Sequence, residues 1–167
     1  MKFLLSVLFV ALSFTAVVRA GDAPADAHAA DRAQIQKVVD GFKAAIIDKD
    51  GKAVREMFLP GGSWLMAMDK AGLAKVRVKH PEAKALVPGS YEEFAGFVGS
   101  APKPIEEVFS NVRIQTDGIV GTVYFDYRFE VEGKATNHGA ETWQLVRTDD
   151  GWKISAMLYS AIMDDNG

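Results

Sequence analysis

Apolar positions recur at three- and four-residue spacing early in the chain and at two-residue spacing late in it. Ile35, Val38, Val39, Phe42, Ala45 and Ile46 form the first stripe, which predicts an amphipathic helix with one buried face. Asp31 opens it with Gln34 three residues on, an approximate capping box, and Asp50-Gly51 breaks it. Ala53, Val54, Met57 and Phe58 predict the inward side of a short second helix, stopped by Pro60-Gly61-Gly62. Ser63 to Met68 reads as a strand, Asp69 to Gly72 as a turn, and Leu73 to Lys79 as a returning strand with Val76 and Val78 on one face. Residues 81–88 read as a loop. Ser90-Tyr91-Glu92-Glu93 is a cleaner capping box; it starts a helix through about Val98, anchored by Phe94 and Phe97 and ended by Ala101-Pro102-Lys103-Pro104.

The second part of the chain alternates with period two. Its segments are Ile105 to Thr116, Ile119 to Glu132, Lys134 to Thr148 and Trp152 to Met163, cut by Asp117-Gly118, Glu132-Gly133 and Asp149-Asp150-Gly151. Glycine accepts the positive φ of a tight turn, so an acidic residue followed by Gly between β-rich runs marks a hairpin. Each run is roughly twice the usual ~5–6 residues of a strand. Strands that long coil, and a coiled sheet has a concave face. Helices followed by strands argue α+β rather than alternating α/β. The expected fold is a strongly curved, mixed or antiparallel sheet wrapped around the N-terminal helices.

The ends change that picture. Lys2, an apolar run from Phe3 to Val18, and Val18-Arg19-Ala20 before Gly21 have the pattern of a secretory signal, short for a membrane span. Residues 1–20 are therefore expected to be removed and 21–30 to form a flexible leader. Residues 31–167 then make a single domain, periplasmic or secreted and away from the membrane after cleavage. The chain has no Cys, so no disulfide staples it and its core must suffice. Loss of residues 1–20 removes Lys2 and Arg19 and no acid, leaving a domain more acidic than the whole chain at −3. With no block of like charges, a nucleic-acid partner is not expected.

The run from Asp31 to Asp50, the segment VREMFLPGGSWLM, and above all GAETWQLVRTDDGWKISAMLYS resemble the nuclear transport factor 2-like superfamily, in particular its SnoaL-like and small secreted bacterial members. The resemblance covers residues 31–163 and implies a cone-shaped, curved sheet around helices. It also implies dimerisation through the sheet. It implies no single chemistry, because that fold hosts isomerases, dehydratases, hydrolases, binding proteins and assembly modules. In the superfamily's ketosteroid isomerases an acidic residue on the strand carrying Glu141 donates to an oxyanion, and Glu141 is the nearest match. Where those enzymes place a general-base Asp, this chain has Trp64-Leu65-Met66-Ala67-Met68 and no carboxylate.

Strand alternation sorts the remaining candidates. Tyr124, Asp126 and Arg128 share one face of a strand. Facing the cavity, Asp126 would be a general base, Tyr124 a donor to an oxyanion and Arg128 a clamp for an anion. Facing outward, they would pair with neighbours across the sheet. His138 and Glu141 fall on opposite faces unless Gly139 marks a bulge. The three histidines are far apart, so no metal site is expected, and nothing implies a cofactor. Catalytic candidates are thus Asp126, Glu141 and Tyr124. Ligand-lining candidates are Phe42, Trp64, Met66, Phe94, Arg128, His138, Met157 and Tyr159.

Three functions fit. The first is a pocket that binds a small apolar molecule. The second is an isomerase, dehydratase or hydrolase using a pocket carboxylate. The third is a homodimerisation module. The dimer expectation rests on Trp152, Ile154, Ala156 and Leu158, which strict alternation puts on one uncovered sheet face. A buried carboxylate facing the cavity would favour the second reading.

Overall fold

The structure is a computed structural model that describes residues 27–164. The expected signal segment and residues 21–26 of the expected leader lie outside the described residues. Helix α1 (Ala29–Ile47) begins before the expected start at Asp31, so the end of the expected leader is helical. His28 precedes it without a side-chain cap. Asp31 lies in the first turn, 3.2 Å from His28 Nδ1 and in an ion pair with Arg147. That pair ties the helix start to the sheet. Ile35, Val39, Phe42, Ala45 and Ile46 are buried, as the stripe predicts.

Helix α2 (Gly51–Glu56) starts at once, with the Asp50 side chain accepting from the Ala53 N–H. Strand β1 (Phe58–Met68) absorbs Pro60-Gly61-Gly62 as an irregularity. The next element corrects the sequence reading. Residues 70–77 are helix α3 (Lys70–Arg77) rather than a returning strand. Asp69 caps it through the N–H groups of Ala71 and Gly72, at 3.1 and 2.9 Å. Ala, Leu and Lys, which lose little entropy in a helix, outweigh a two-residue alternation, and Val78 ends up 83% exposed. The expected loop holds a short strand, β2 (Leu86–Pro88), antiparallel to β1.

Helix α4 (Tyr91–Ser100) is capped by Ser90, whose hydroxyl accepts from Glu92 and Glu93. Its buried anchors are Tyr91, Ala95 and Val98, not Phe94 and Phe97. Strands β3 (Ile105–Thr116), β4 (Val120–Val131), β5 (Lys134–Thr148) and β6 (Gly151–Met163) follow. The turn residues Gly118, Glu132, Gly133 and Gly151 all have positive φ.

The six strands form one curved, unclosed sheet in the order β2-β1-β6-β5-β4-β3. The β1–β6 pairing is parallel and the others are antiparallel. Register slips interrupt β3 near Asn111, β5 near Thr136 and β6 near Ser155. An unpaired extra residue bends and twists its strand, so these slips curve the sheet around the helices. Helix α1 lies in the concavity, packing Phe42 on Trp143 with ring centroids 5.0 Å apart. Val123, Phe125, Leu145, Ile154 and Met157 complete the core. Among the described residues no helix is long and apolar enough to cross a membrane.

The slip in β6 revises the face assignments. Strict alternation puts Trp152 and Ile154 with Ala156 and Leu158. The extra residue moves them onto the buried side with Met157, Tyr159 and Ala161 instead. Leu158, at 47% exposure, stays outside.

Candidate functional site

One side of the concavity is not filled. Between α1, α4 and the inner face of the sheet lies a cavity of about 320 Å³. Four consecutive strands each send one ionisable side chain into it: Glu107 from β3, Tyr127 from β4, Glu141 from β5 and Tyr159 from β6. Each shares its strand face with buried apolar residues. Glu107 lies between Ile105 and Phe109, Tyr127 follows Val123 and Phe125, and Glu141 precedes Trp143 and Leu145. Tyr159 follows Met157 beyond the slip in β6.

Rings make up most of the wall. Phe42, Trp64, Phe94 and Phe97 come from α1, β1 and α4. Trp64 sits 5.1 Å from Phe94 and 5.9 Å from Tyr159 between centroids. Gly89 lets it do so, since a Cβ there would stand 2.6 Å from Trp64 Cδ1. Phe94, expected among the lining residues, serves the pocket, and Phe97, read only as an anchor of α4, joins it. At the other end Asn137, Thr136 and Phe129 form a rim. The Tyr127 hydroxyl lies 2.9 Å from Asn137 Oδ1 and 3.0 Å from the Ser160 carbonyl, which fixes its ring.

The two glutamates set the electrostatics. Glu107 is 5% exposed and Glu141 3%. Trp143 Nε1 donates to Glu141 Oε1 at 2.5 Å. Glu107 has no hydrogen bond or ion pair within the described residues, and no Lys, Arg or His lines the cavity. Burial disfavours the charged form of a carboxyl, and a second carboxyl nearby disfavours it further. Burial pushes Glu141 up to about 8, against the opposing pull of the Trp143 bond. Burial also raises Glu107 well above the ordinary range, and the charge of Glu141 adds to it. Burial raises Tyr127 and Tyr159 too, with the glutamates contributing to both. At neutral pH the pair therefore carries at most about one negative charge. One protonated and one ionisable carboxyl facing the same space can donate to one ligand atom and accept from another.

Of the residues singled out by sequence, Glu141, Phe42, Trp64, Phe94 and Tyr159 line the cavity. The others do not. Tyr124, Asp126 and Arg128 lie on the convex face, the outward alternative. There Asn111 Nδ2 donates to Asp126 at 2.6 Å, Arg128 Nε donates to Glu130 at 2.6 Å, and the Arg113 guanidinium sits 5.6 Å above the Tyr124 ring. His138 is also outside, 3.0 Å from Asp164 Oδ1, because Gly139 does not reverse the face of Glu141 relative to it. Met157 is buried in the core and Met66 is half-buried on β1 outside the cavity wall. Sequence reasoning missed Glu107, Tyr127 and Phe97. The signal for Glu107 was a charge on the same parity as Ile105 and Phe109.

Comparisons with known proteins bear on the fold. A family model described as a SnoaL-like domain matches residues 27–157. An NTF2-like protein of unknown function from Shewanella baltica superposes with a TM-score of 0.58 at 13% identity, over 81% of this chain and 96% of that one. An NTF2-like protein with a cystatin-like fold from Novosphingobium aromaticivorans gives 0.58 at 15%, over 83% and 84%. A candidate scytalone dehydratase from the same species gives 0.60 at 12%, over 80% and 85%. No curated protein matches the chain.

Proposed function

The chain belongs to the SnoaL-like domain family, and on that premise we propose that it is an acid–base enzyme of the isomerase or lyase type. Its substrate is a small, largely apolar molecule with one polar head. The observation that carries this reading is the pair of buried carboxyls, Glu107 and Glu141, facing one aromatic-walled cavity with no cationic side chain among the described residues lining it. A structural domain gains nothing from burying two acids that lack a counter-charge, since each costs several kcal/mol when ionised. A site that moves protons near neutral pH needs groups whose pKa values lie near the working pH. In this arrangement the ionised glutamate takes a proton from the substrate carbon while the protonated one donates to the head group. Tyr127 and Tyr159, neutral throughout, orient that head. The apolar stretch Trp64 to Met68, where related isomerases place an acid, supports the binding-only alternative. Glu107 supplies a second acid from another strand.

The test is proton exchange in deuterated buffer. Cyclohexanone and tropinone are incubated with the protein, and deuterium incorporation beside the carbonyl is followed by NMR. A positioned acid or base contributes roughly 100- to 10,000-fold, so the Glu107→Gln, Glu141→Gln double variant should lose at least about 100-fold of the enzymatic rate. Exchange at equal rates with the parent and the double variant would leave only a binding role. The same proposal places the working protein in the periplasm or the medium, on the pattern of residues 1–20, and pairs two copies through the convex sheet face around Leu158 and Ile162.

A further inference from the structure

The charges and rings around the cavity restrict what its polar head can be, if the acid–base reading of this site holds. Its ionisable lining is Glu107, Tyr127, Glu141 and Tyr159, every one neutral or negative. Glu107 is nine-tenths buried, aims into the cavity and has no partner in the described residues. Buried polar groups are hydrogen-bonded or paired as a rule, and a cation arriving with the ligand would give this carboxyl the partner it lacks. The walls fit the same conclusion. Trp64, Phe94, Tyr127 and Tyr159 border the space, with the Tyr127 and Tyr159 centroids 6.0 Å apart and Trp64 against both Phe94 and Tyr159. Ring faces carry negative quadrupole density and attract ammonium groups, most strongly when water is excluded.

We propose that the cavity takes an organic cation, a protonated or quaternary amine, with its nitrogen against Glu107 and Glu141 and its apolar body among the rings of Trp64, Phe94 and Tyr159. Among the described residues no group of three or more His, Cys, Asp or Glu side chains is placed to hold a metal ion, and rings make up most of the wall, which favours an organic cation. Entry of one positive charge ionises one glutamate and leaves the other protonated. That is the division the proton-transfer reading requires, and it releases up to one proton to solvent. An anionic head would meet two carboxyls and no cation among the described residues.

The experiment measures binding alone, so it can fail while proton exchange succeeds, and the reverse. Benzyltrimethylammonium, its uncharged carbon analogue neopentylbenzene and benzoate are titrated at pH 7 by tryptophan fluorescence, with calorimetry of the cation in two buffers of different ionisation heat. The cation should bind at least about tenfold tighter than neopentylbenzene, benzoate should not bind, and the buffer dependence should show protons released. The Glu107→Gln, Glu141→Gln double variant should bring the cation and the neutral analogue to within threefold of each other. Unchanged affinity of that variant for neopentylbenzene reports an intact pocket. Equal or tighter binding of the neutral analogue, binding of benzoate, absence of proton release, or no binding of the cation at millimolar concentration each overturns the proposal. If the variant fails to fold, the ligand series and proton release on the parent protein still decide it.

Discussion

Replacing Glu141 by Gln should make the protein more stable, and by an amount that depends on pH. The carboxyl is raised from its ordinary 4.5 to about 8 in the fold, chiefly by burial. Between those values the folded state holds a proton that the unfolded chain has released. Stability then falls as pH rises. Each unit of separation corresponds to about 1.4 kcal/mol, so between pH 5 and pH 8 the native state should lose about 3–4 kcal/mol through this group. Gln removes the ionisation and keeps an acceptor for Trp143 Nε1. The variant should therefore match the parent within about 1 kcal/mol at pH 5 and exceed it by about 3–4 kcal/mol at pH 8, a gain of roughly 10 °C in Tm for a domain this size. Glu107 is raised in the same direction, so the double Gln variant should be flatter still. The carboxyls held low, Glu92 by its Ser90 bond and Asp117 by the backbone N–H groups of Val120 and Ile119, act below the window. Urea unfolding followed by tryptophan fluorescence across pH 5 to 8.5 gives the numbers. A parent protein equally stable or more stable at pH 8 than at pH 5, or a variant that declines in parallel, would refute the reasoning.

Four further outcomes are expected. Gly139→Ala would place a Cβ 2.0 Å from the Ser160 carbonyl, so it should cost more than about 2 kcal/mol in urea unfolding through forced separation of β5 and β6. Ser90→Ala should cost about 1 kcal/mol by the same measurement, because the helix loses the hydroxyl that accepts from Glu92 and Glu93. Light scattering at micromolar concentration should give twice the chain mass, and Leu158→Glu, at an exposed position of the convex face, should give a single chain. Intact-mass analysis of exported protein should show a chain beginning at Gly21, and retention of residues 1–20 would contradict the signal reading.

The strand ends were legible because turn chemistry is local. Gly118, Gly133 and Gly151 take φ of 88°, 73° and 101°, values that glycine accepts without strain, and each sits where a hairpin was expected. Capping was legible for α4, where Ser90 acts as read. It misled at Asp31, which serves an ion pair with Arg147 across the fold and not the helix end. Helix α3 was misread because two valines at alternate positions are too short a pattern to weigh against an Asp cap followed by good helix formers. Phe94 was expected beside the cavity and lies there; Phe97 was read only as an anchor of α4, since a ring fills a core or lines a hollow with the same pattern.

Which residues enter the cavity depends on slips that strict alternation ignores. Read without a slip, one face of β3 is Ile105, Glu107, Phe109, Asn111, Arg113 and Gln115, and neither face is apolar along its length. Allowing one extra residue at Asn111, which has positive φ, joins Ile105 and Phe109 to Val112 and Ile114. That stripe is apolar except for Glu107. The same operation on β6 joins Trp152 and Ile154 to Met157 and Ala161, and leaves Tyr159 as its polar member. A slip costs ladder hydrogen bonds, and a continuous apolar stripe against the helices compensates for that loss. The arrangement with the longest apolar stripe is therefore the one the chain adopts. A charge that remains on that stripe after the slip is allowed has been kept there against the cost of desolvation. In mid-strand, Glu107 and Glu141 meet this condition. Asp126 and Arg128, the sharper cluster to the eye, do not, and they are found on the convex face paired with Asn111 and Glu130.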